Sequence, residues 1–504
     1  MAAGRLDRPP YDPRMRRAEI DGVTVLRRDL PGVLGASLTF GCGTRDEELD
    51  SIGLNHLVHH LLERADPYVA DKYANDTWVN ETSFVAAGTP EQIAEHFTTL
   101  CSTISHLPPT DLSDAVADVD ADDRDVSDID EGVLDPWGSL LARRFGPRGH
   151  GLARWPAVDY RLFTADEIRQ HVGRFFTSGN AVLATTAEAP PSMRLLLPAG
   201  PRADHDTRLA NHQSGPVWYA DEVHGVALVV GSPPSAEALL LMSALRSRVF
   251  QAVQRAGIAR YAELMAEVVD GTRHELGIRI DPTSARRFDA AVAAELLWAE
   301  LRRLVHDGLD QADMANLEAS RTMAVPAELV PTYDALAWMR PIQQLESAAH
   351  RELLGTTEHY LTDPLTEPDG LSPVAARDIM SGWLSSAMIV VPYGSRPDLP
   401  GVTDASCPST RFVPAGDVVR PAFRKRFGNK GSLVISTDAI STVDGEGNVH
   451  TVPLSQALVV ERDDALWLAH VGHGCVTTIS DFASAAGKLR SVLPARRIRR
   501  ASGI

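Results

Sequence analysis

Residues 41–64 read GCGTRDEELDSIGLNHLVHHLLER, and this stretch decides how the rest of the chain is understood. Leu54, Leu57, Val58, Leu61 and Leu62 recur at helical spacing, so the second half is expected to be an amphipathic helix. On that helix His56 and His60 are four residues apart and project from one face, close enough to bind a single metal ion through imidazole nitrogens. His59 lies beside them, and any further ligand must come from elsewhere in the chain. A cluster of histidines on a solvated helix face, with no role, is the simpler alternative for the trio taken by itself.

On the N-terminal side, residues 20–47 give a short β-rich run, a Pro-Gly turn, a second apolar run and a glycine-marked exit, which reads as a hairpin entering a loop. On the C-terminal side, WVNETSFVAAG (78–88) is strand-like, and a helix is expected around PEQIAEHFTTLCSTISHL (90–107). Residues 111–135 carry eleven acidic side chains and one base, Arg124, with little apolar periodicity, and are expected to be a solvated acidic stretch. Beyond them TADEIRQHVGRFFTSGNAVLATTA (164–187) reads as a helix feeding a strand, with Thr164 as N-cap and Glu167 completing a capping box.

Around the histidines, Gly43, Thr44, Arg45, Asp46, Glu47, Gly53, Leu54, His56, Leu57 and His60 together resemble the pattern of the pitrilysin/insulinase family of zinc metallopeptidases. In that family a glycine-containing strand exit and Ser/Thr-Arg-Asp-Glu lead into Gly-Leu-x-His-Leu-x-Glu-His. The resemblance implies zinc held by His56 and His60, with a glutamate between them as the general base. Here that place is taken by His59. A neutral imidazole is a weaker base, so peptide hydrolysis by the usual route should be impaired.

The resemblance also implies a third ligand, a glutamate on a later helix, and matching the elements puts Asp122 or Asp123 near that slot. The segment RVFQAVQRAGIARY (248–261) resembles the one that supplies an arginine and a tyrosine to substrate. Arg255 and Tyr261 stand nearest, although the family's arginine-glycine step reads Ala256-Gly257. An extended peptide would add to the edge strand after the motif helix, near Asn75 and residues 78–87. Members often work in pairs, one subunit holding zinc and a degenerate one shaping the peptide chamber, so a homo- or heterodimer with a related subunit is implied. Three readings of the histidines stay open: a vestigial site without metal, a zinc site without efficient hydrolysis, and an unusual working peptidase.

The polar, proline-containing residues 199–215 are the best linker, after which GVALVVGSPPSAEALLLMSALRSRVF (225–250) repeats the strand-then-helix logic. Helical patterns near 285–307 and 311–354 and the strand AMIVVPYG (387–394) complete a second lobe of similar size. From about residue 411 short alternating runs and the turn DGEGN indicate antiparallel strands, closed by a helix SDFASAAGKLRSVL (480–493) capped by Ser480 or Asp481. This order resembles a pleckstrin-homology-like domain.

The expected class is therefore α+β: two structurally similar lobes, each an antiparallel sheet with helices on one face, plus a C-terminal small β-domain closed by one helix. The boundaries are expected at residues 1–200, 201–405 and 406–504.

Composition limits the partners. The chain has 504 residues, 44% hydrophobic and 23% charged, which fits about three folded units at roughly 150 residues each. Its net charge of -18 disfavours nucleic acid and anionic membranes as main partners. No stretch approaches the roughly 20 apolar residues of a membrane span, and a cytoplasmic location is expected. The four cysteines, Cys42, Cys101, Cys407 and Cys475, form no CxxC pair and are read as free thiols. In the last unit only Arg424, Lys425, Arg426 and Lys430 make a basic cluster, so a protein partner is favoured over a phosphoinositide. The basic tail ARRIRR (495–500) reads as a solvated helix end, with an acidic segment or a lipid as alternative partners.

Overall fold

The computed structural model describes residues 15–30, 34–64, 76–107, 112–126, 132–210, 215–259, 261–282, 288–323, 339–355, 373–421, 431–462 and 465–500. Asn75 and the basic residues Arg424, Lys425, Arg426 and Lys430 lie outside them.

The first lobe is built on a six-stranded sheet: β1 (Arg16–Ile20), β2 (Val23–Arg27), β3 (Leu34–Phe40), β4 (Asp76–Thr77), β5 (Thr82–Gly88) and β6 (Ala181–Thr185). Its spatial order is β1-β2-β6-β3-β5-β4. The hairpin expected between the runs flanking Pro31-Gly32 does not form, because β6 lies between β2 and β3, parallel to the former and antiparallel to the latter. The tight hairpin is instead β1–β2, turning at Asp21 and Gly22, both with positive φ, the conformation that suits the twist of a two-residue connection.

On one face of the sheet sit α1 (Leu54–Arg64), α2 (Pro90–Ser105), α3 (Ser113–Val126) and α5 (Ala165–Phe175), around a core that includes Leu38, Phe40, Leu57, Val58, Phe84, Phe97 and Phe176. Thr89 with Gln92 and Thr164 with Glu167 form the capping boxes of α2 and α5. The acidic stretch departs from expectation: α3 buries Ala115, Val116 and Val119 in this core, so the acidic side chains are the outer face of a packed helix. Aspartates hide the pattern because three small or branched residues suffice to anchor the helix on α1.

The second lobe repeats the topology with β7 (Val217–Asp221), β8 (Val226–Ser232), β9 (Glu263–Asp270), β10 (Arg273–Ile280), β11 (Met388–Pro392) and β12 (Thr403–Asp404), ordered β12-β7-β11-β8-β10-β9. Again the last long strand inserts between the first two, β11 running parallel to β7 and antiparallel to β8. The helices α6 (Ala236–Ala256), α7 (Ala290–Asp307) and α10 (Pro373–Ser386) share a core with its inner face, which includes Leu228, Leu297, Leu301 and Trp383. A further helix, α8 (Gln311–Met323), is tied to α6 by the ion pair of Arg248 with Asp313.

The opposite face of each sheet is covered by a helix exchanged between the lobes. From the first half, α4 (Pro136–Phe145) packs Trp137, Leu140, Leu141 and Phe145 on Tyr219, Ala227, Val229 and Val390. From the second, α9 (Met339–Leu354) packs Leu345, Ala348, Ala349 and Leu353 on Leu26, Val182 and Ala184. Each large side chain buried this way contributes about 2 kcal/mol, so the exchange fastens the lobes together.

The C-terminal part forms two four-stranded sheets, β13 (Asp417–Val419), β14 (Ser432–Ile435), β15 (Ala439–Val443) and β16 (Val449–Pro453), then β17 (Ala457–Arg462), β18 (Ala465–His470), β19 (Cys475–Thr478) and β20 (Ile498–Arg500). Leu433, Ile440, Val459, Leu468 and Leu489 belong to the core between them. The helix α11 (Ala486–Val492) starts later than expected: Ala485 is its N-cap, and the Ser480 hydroxyl accepts a hydrogen bond from the Leu466 amide (2.9 Å). The basic tail is a docking strand and not a solvated helix end. It pairs with β17 in parallel, while Arg496 meets Glu167 (2.7 Å), Arg497 meets Asp50 (2.5 Å) and buried Arg499 donates to the Leu49 and Pro156 carbonyls.

Candidate metal and peptide site

The motif residues before α1 hold the histidine helix in place. Gly43 lies so close to the chain that a Cβ would stand 2.3 Å from the Trp78 carbonyl oxygen and 2.5 Å from that of Val79. Those carbonyls accept from the Thr44 and Arg45 amides (3.2 and 3.0 Å), which pins the strand exit to the β4–β5 connection. Buried Arg45 donates to the Val269 carbonyl of the second lobe (3.2 Å). Asp46 accepts from the Gly43 amide (3.0 Å) and lies 2.6 Å from His205 Nδ1 in the interlobe segment.

Glu47 accepts from the amides of Gly53 (3.0 Å) and Asn55 (2.6 Å), satisfying orphan donors at the start of α1. Burial pushes its carboxyl up to about 8 against the pull of those two amides. The Thr-Arg-Asp-Glu run is thus a latch between lobes and a cap for the helix.

α1 places His56 and His60 on the face turned to α3, and α3 brings Asp122 to meet them. His56 Nε2 lies 3.1 Å from Asp122 Oδ2 and 3.1 Å from His60 Nε2, and His60 Nε2 is 3.7 Å from the same oxygen. Arg64 fixes the helix pair by binding Asp114 (3.0 Å) and Asp118. The His56 ring holds Asp122 below the usual carboxylate range, and burial followed by the His56 charge lowers His60. Of the two aspartates expected near this slot, Asp122 makes the contact; Asp123 sits next to it on α3.

These residues fit a metal ion. Four-coordinate zinc with Zn–N and Zn–O bonds of about 2.0–2.1 Å sets its ligand atoms about 3.3–3.4 Å apart, and the three separations bracket that value. A zinc ion there would supply Lewis acidity to a carbonyl or water oxygen. A short aspartate reaches the histidines because α3 packs directly on α1.

His59 is 5% exposed, 5.3 Å from the Phe84 ring, and neither ring nitrogen has a hydrogen-bond partner among the described residues. Burial, then the charges of His60 and His56, lowers it to about 3, so it is neutral at physiological pH. Glu63 was not singled out from the sequence, yet its carboxylate lies 3.4 Å from His60 Nδ1 and 3.8 Å from His59 Nε2. Its i+3 spacing from His60 could have flagged it. Glu63 thus faces the Nδ1 edge of His60, whereas Nε2 of the same ring faces His56 and Asp122.

Beside this cluster β4 pairs with Thr82 and Ser83 of β5. Trp78 at the turn is 61% exposed. The Trp78–Glu81 connection is itself held across the lobes: Asn80 donates to Glu267 (2.5 Å), His150 lies 2.9 Å from Asn80 Oδ1, and His350 pairs with Glu81 (3.1 Å). Arg255 lies in the last turn of α6 and is exposed, and Tyr261 is exposed just beyond. No described hydrogen bond or ion pair joins either to the histidines.

The fold compares closely with solved structures. A chain of "Complex III2 from Candida albicans, Inz-5 bound" matches with a TM-score of 0.57 at 15% identity, over 75% of this chain and 95% of that one. A "peptidase M16 inactive domain from Pseudomonas fluorescens" matches with a TM-score of 0.56 at 13% identity, over 76% and 99%. Pitrilysin matches with a TM-score of 0.52 at 10% identity, over 77% of this chain and 46% of its own. This is the pitrilysin/insulinase (M16) fold. No family model matches the chain, and no curated protein matches it by sequence. The chain spans about half of pitrilysin and nearly all of the inactive domain. No described helix is long and apolar enough to cross a membrane.

Proposed function

We propose that this chain is a degenerate M16-type subunit that binds extended peptide and has lost efficient hydrolysis. The observation that carries the reading is His59: a buried, neutral imidazole stands where the resemblance places the general base. The likeness to an M16 inactive domain and to a chain of Complex III supports a role in a larger assembly, as a homo- or heterodimer with a related subunit. Zinc binding at His56, His60 and Asp122 is part of the proposal, supported by ligand spacing that suits a tetrahedral ion. Peptide is proposed to lie along residues 78–87, with exposed Trp78 as an apolar contact. Arg255 and Tyr261 are proposed as substrate contacts only for a peptide that spans both lobes.

The units 1–200, 201–405 and 406–504 are the proposed domains, the last pleckstrin-homology-like in its two sheets and helix and suited to a protein partner. A reducing compartment such as the cytoplasm is proposed, where its cysteines persist as thiols.

The test measures bound zinc and peptide hydrolysis for the full chain, His59→Glu, and His56→Ala. Loss of one equivalent of bound zinc in His56→Ala, no hydrolysis by the unmodified chain, and a gain on the order of 10²–10⁴-fold in His59→Glu are expected, the range a positioned base supplies. Hydrolysis by the unmodified chain that disappears in His60→Ala would overturn the degenerate reading and establish an active endopeptidase.

A further inference from the structure

Outside the histidine helix, a second group of metal-ligating side chains converges where the C-terminal sheets meet the second lobe. Cys407 lies three residues beyond β12, His450 is on β16 and Cys475 opens β19, and one donor atom from each falls within a sphere of mutual separations no greater than 4.8 Å. These residues are far apart in sequence and show no metal-binding spacing. We propose that Cys407, Cys475 and His450 form a thiolate-imidazole site for a soft divalent cation, zinc foremost, that ties the C-terminal β unit to the second lobe.

The donor chemistry and geometry support this. Two sulfurs and one imidazole nitrogen are the set that selects zinc over magnesium or calcium. With Zn–S about 2.3 Å and Zn–N about 2.0 Å, tetrahedral coordination separates sulfur from nitrogen by about 3.6 Å. The Cys475 Sγ to His450 Nε2 distance is 3.8 Å. Cys475 is buried whereas Cys407 and His450 are partly exposed, which leaves an approach for the ion and a fourth position for water or an external ligand. Binding releases the thiol protons to solvent, and two thiolates neutralise the dication.

The surroundings are built to hold the sulfurs. The Arg143 guanidinium of α4 points at Cys407 Sγ (3.7 Å) and donates to the His473 carbonyl (2.9 Å) and the Ala405 carbonyl, gripping the chain on both sides of the site. An N–H directed at a thiolate is the outer-shell contact that orients such ligands. His470, 5.8 Å ring to ring from His450, is fixed through Nε2 by Gln456 Oε1 (2.7 Å) and leaves a buried Nδ1 without a hydrogen-bond partner among the described residues. A polar wall of this kind belongs beside a charged site more than in an apolar seam.

The test uses the full chain, reduced and kept anaerobic, titrated with Co²⁺ and then Zn²⁺. The expected result is a thiolate-to-cobalt charge-transfer band that corresponds to about one thiolate-bound ion per chain and is displaced by zinc. It should be absent from Cys407→Ala and Cys475→Ala, each checked for native circular dichroism, and retained in the double variant His56→Ala/His60→Ala. That retention separates the thiolate site from the proposed site on α1, which has no sulfur. Cys407→Ala is the variant least able to disturb folding, since its side chain is the more exposed. No band in the reduced chain, or a band that survives loss of both cysteines, would overturn the proposal.

Discussion

Asp221 and Arg154 provide a sharp test of how the three parts of the chain are joined. Both side chains are 0% exposed and 2.6 Å apart. Asp221 Oδ2 accepts from Arg154 and from the Ser139 hydroxyl (2.7 Å), and Oδ1 accepts from the amides of Glu222 (2.9 Å) and Val476 (2.7 Å). Arg154 in turn donates to the Val133 carbonyl (3.1 and 3.0 Å) and to that of Gly474. The first lobe, the second lobe and β19 therefore share one buried carboxylate.

Asp221→Asn keeps the shape but cannot keep the bonds, because its NH₂ must face either two backbone N–H groups or a guanidinium. Breaking a buried pair while leaving the partner charge in place costs about 3–5 kcal/mol. At 1.4 kcal/mol per decade, about 4 kcal/mol is roughly a 1000-fold loss of protection against amide exchange. Hydrogen exchange followed by mass spectrometry is the suitable assay, since a chain of 504 residues need not unfold in two states. Protection should fall in β7 and in β17–β19 together, and Arg154→Met/Asp221→Asn should cost less than the two single changes summed. A loss below tenfold, or one confined to β7, would refute the shared-carboxylate argument.

Gly43→Ala should destabilise the first lobe by about 2 kcal/mol, because the new methyl meets backbone carbonyls that cannot rotate away; an unchanged urea midpoint would contradict this. Acid should weaken the fold through His171 and His274, which burial lowers to about 4. Below the ordinary value of about 6.5 the unfolded chain takes up protons that the folded chain does not. Their contribution is complete above about 6.5 and lost as pH falls towards 4, about 1 kcal/mol each by pH 5.5. Urea midpoints at pH 7.5 and 5.5 check the sign, and His171→Gln should reduce the difference.

Much of the architecture was legible in the sequence because it is local. Residues 41–64 named the strand exit, the helix and its histidines, since a period of 3.6 and an i, i+4 pair are written within a few turns. The capping box at Thr164 is equally local. Two lobes and a final β unit followed from the order of such elements. The hairpin at Pro31-Gly32 failed because nothing near it announces that β6, some 150 residues on, will lie between its arms. The packed side of α3 was concealed for another reason: its described anchors, Ala115, Val116 and Val119, are small or branched and lie among aspartates that composition alone assigns to solvent.

What tertiary structure decided is every contact between distant segments. It brought Asp122 to His56, exchanged α4 and α9 between the sheets, turned a basic tail into a strand bound by Asp50 and Glu167, and gathered Cys407, His450 and Cys475. The sequence determined which chemical groups were available and on which elements. Their partners depended on closing loops of tens to hundreds of residues, a step governed by the packing of whole sheets, of which no local pattern carries a record.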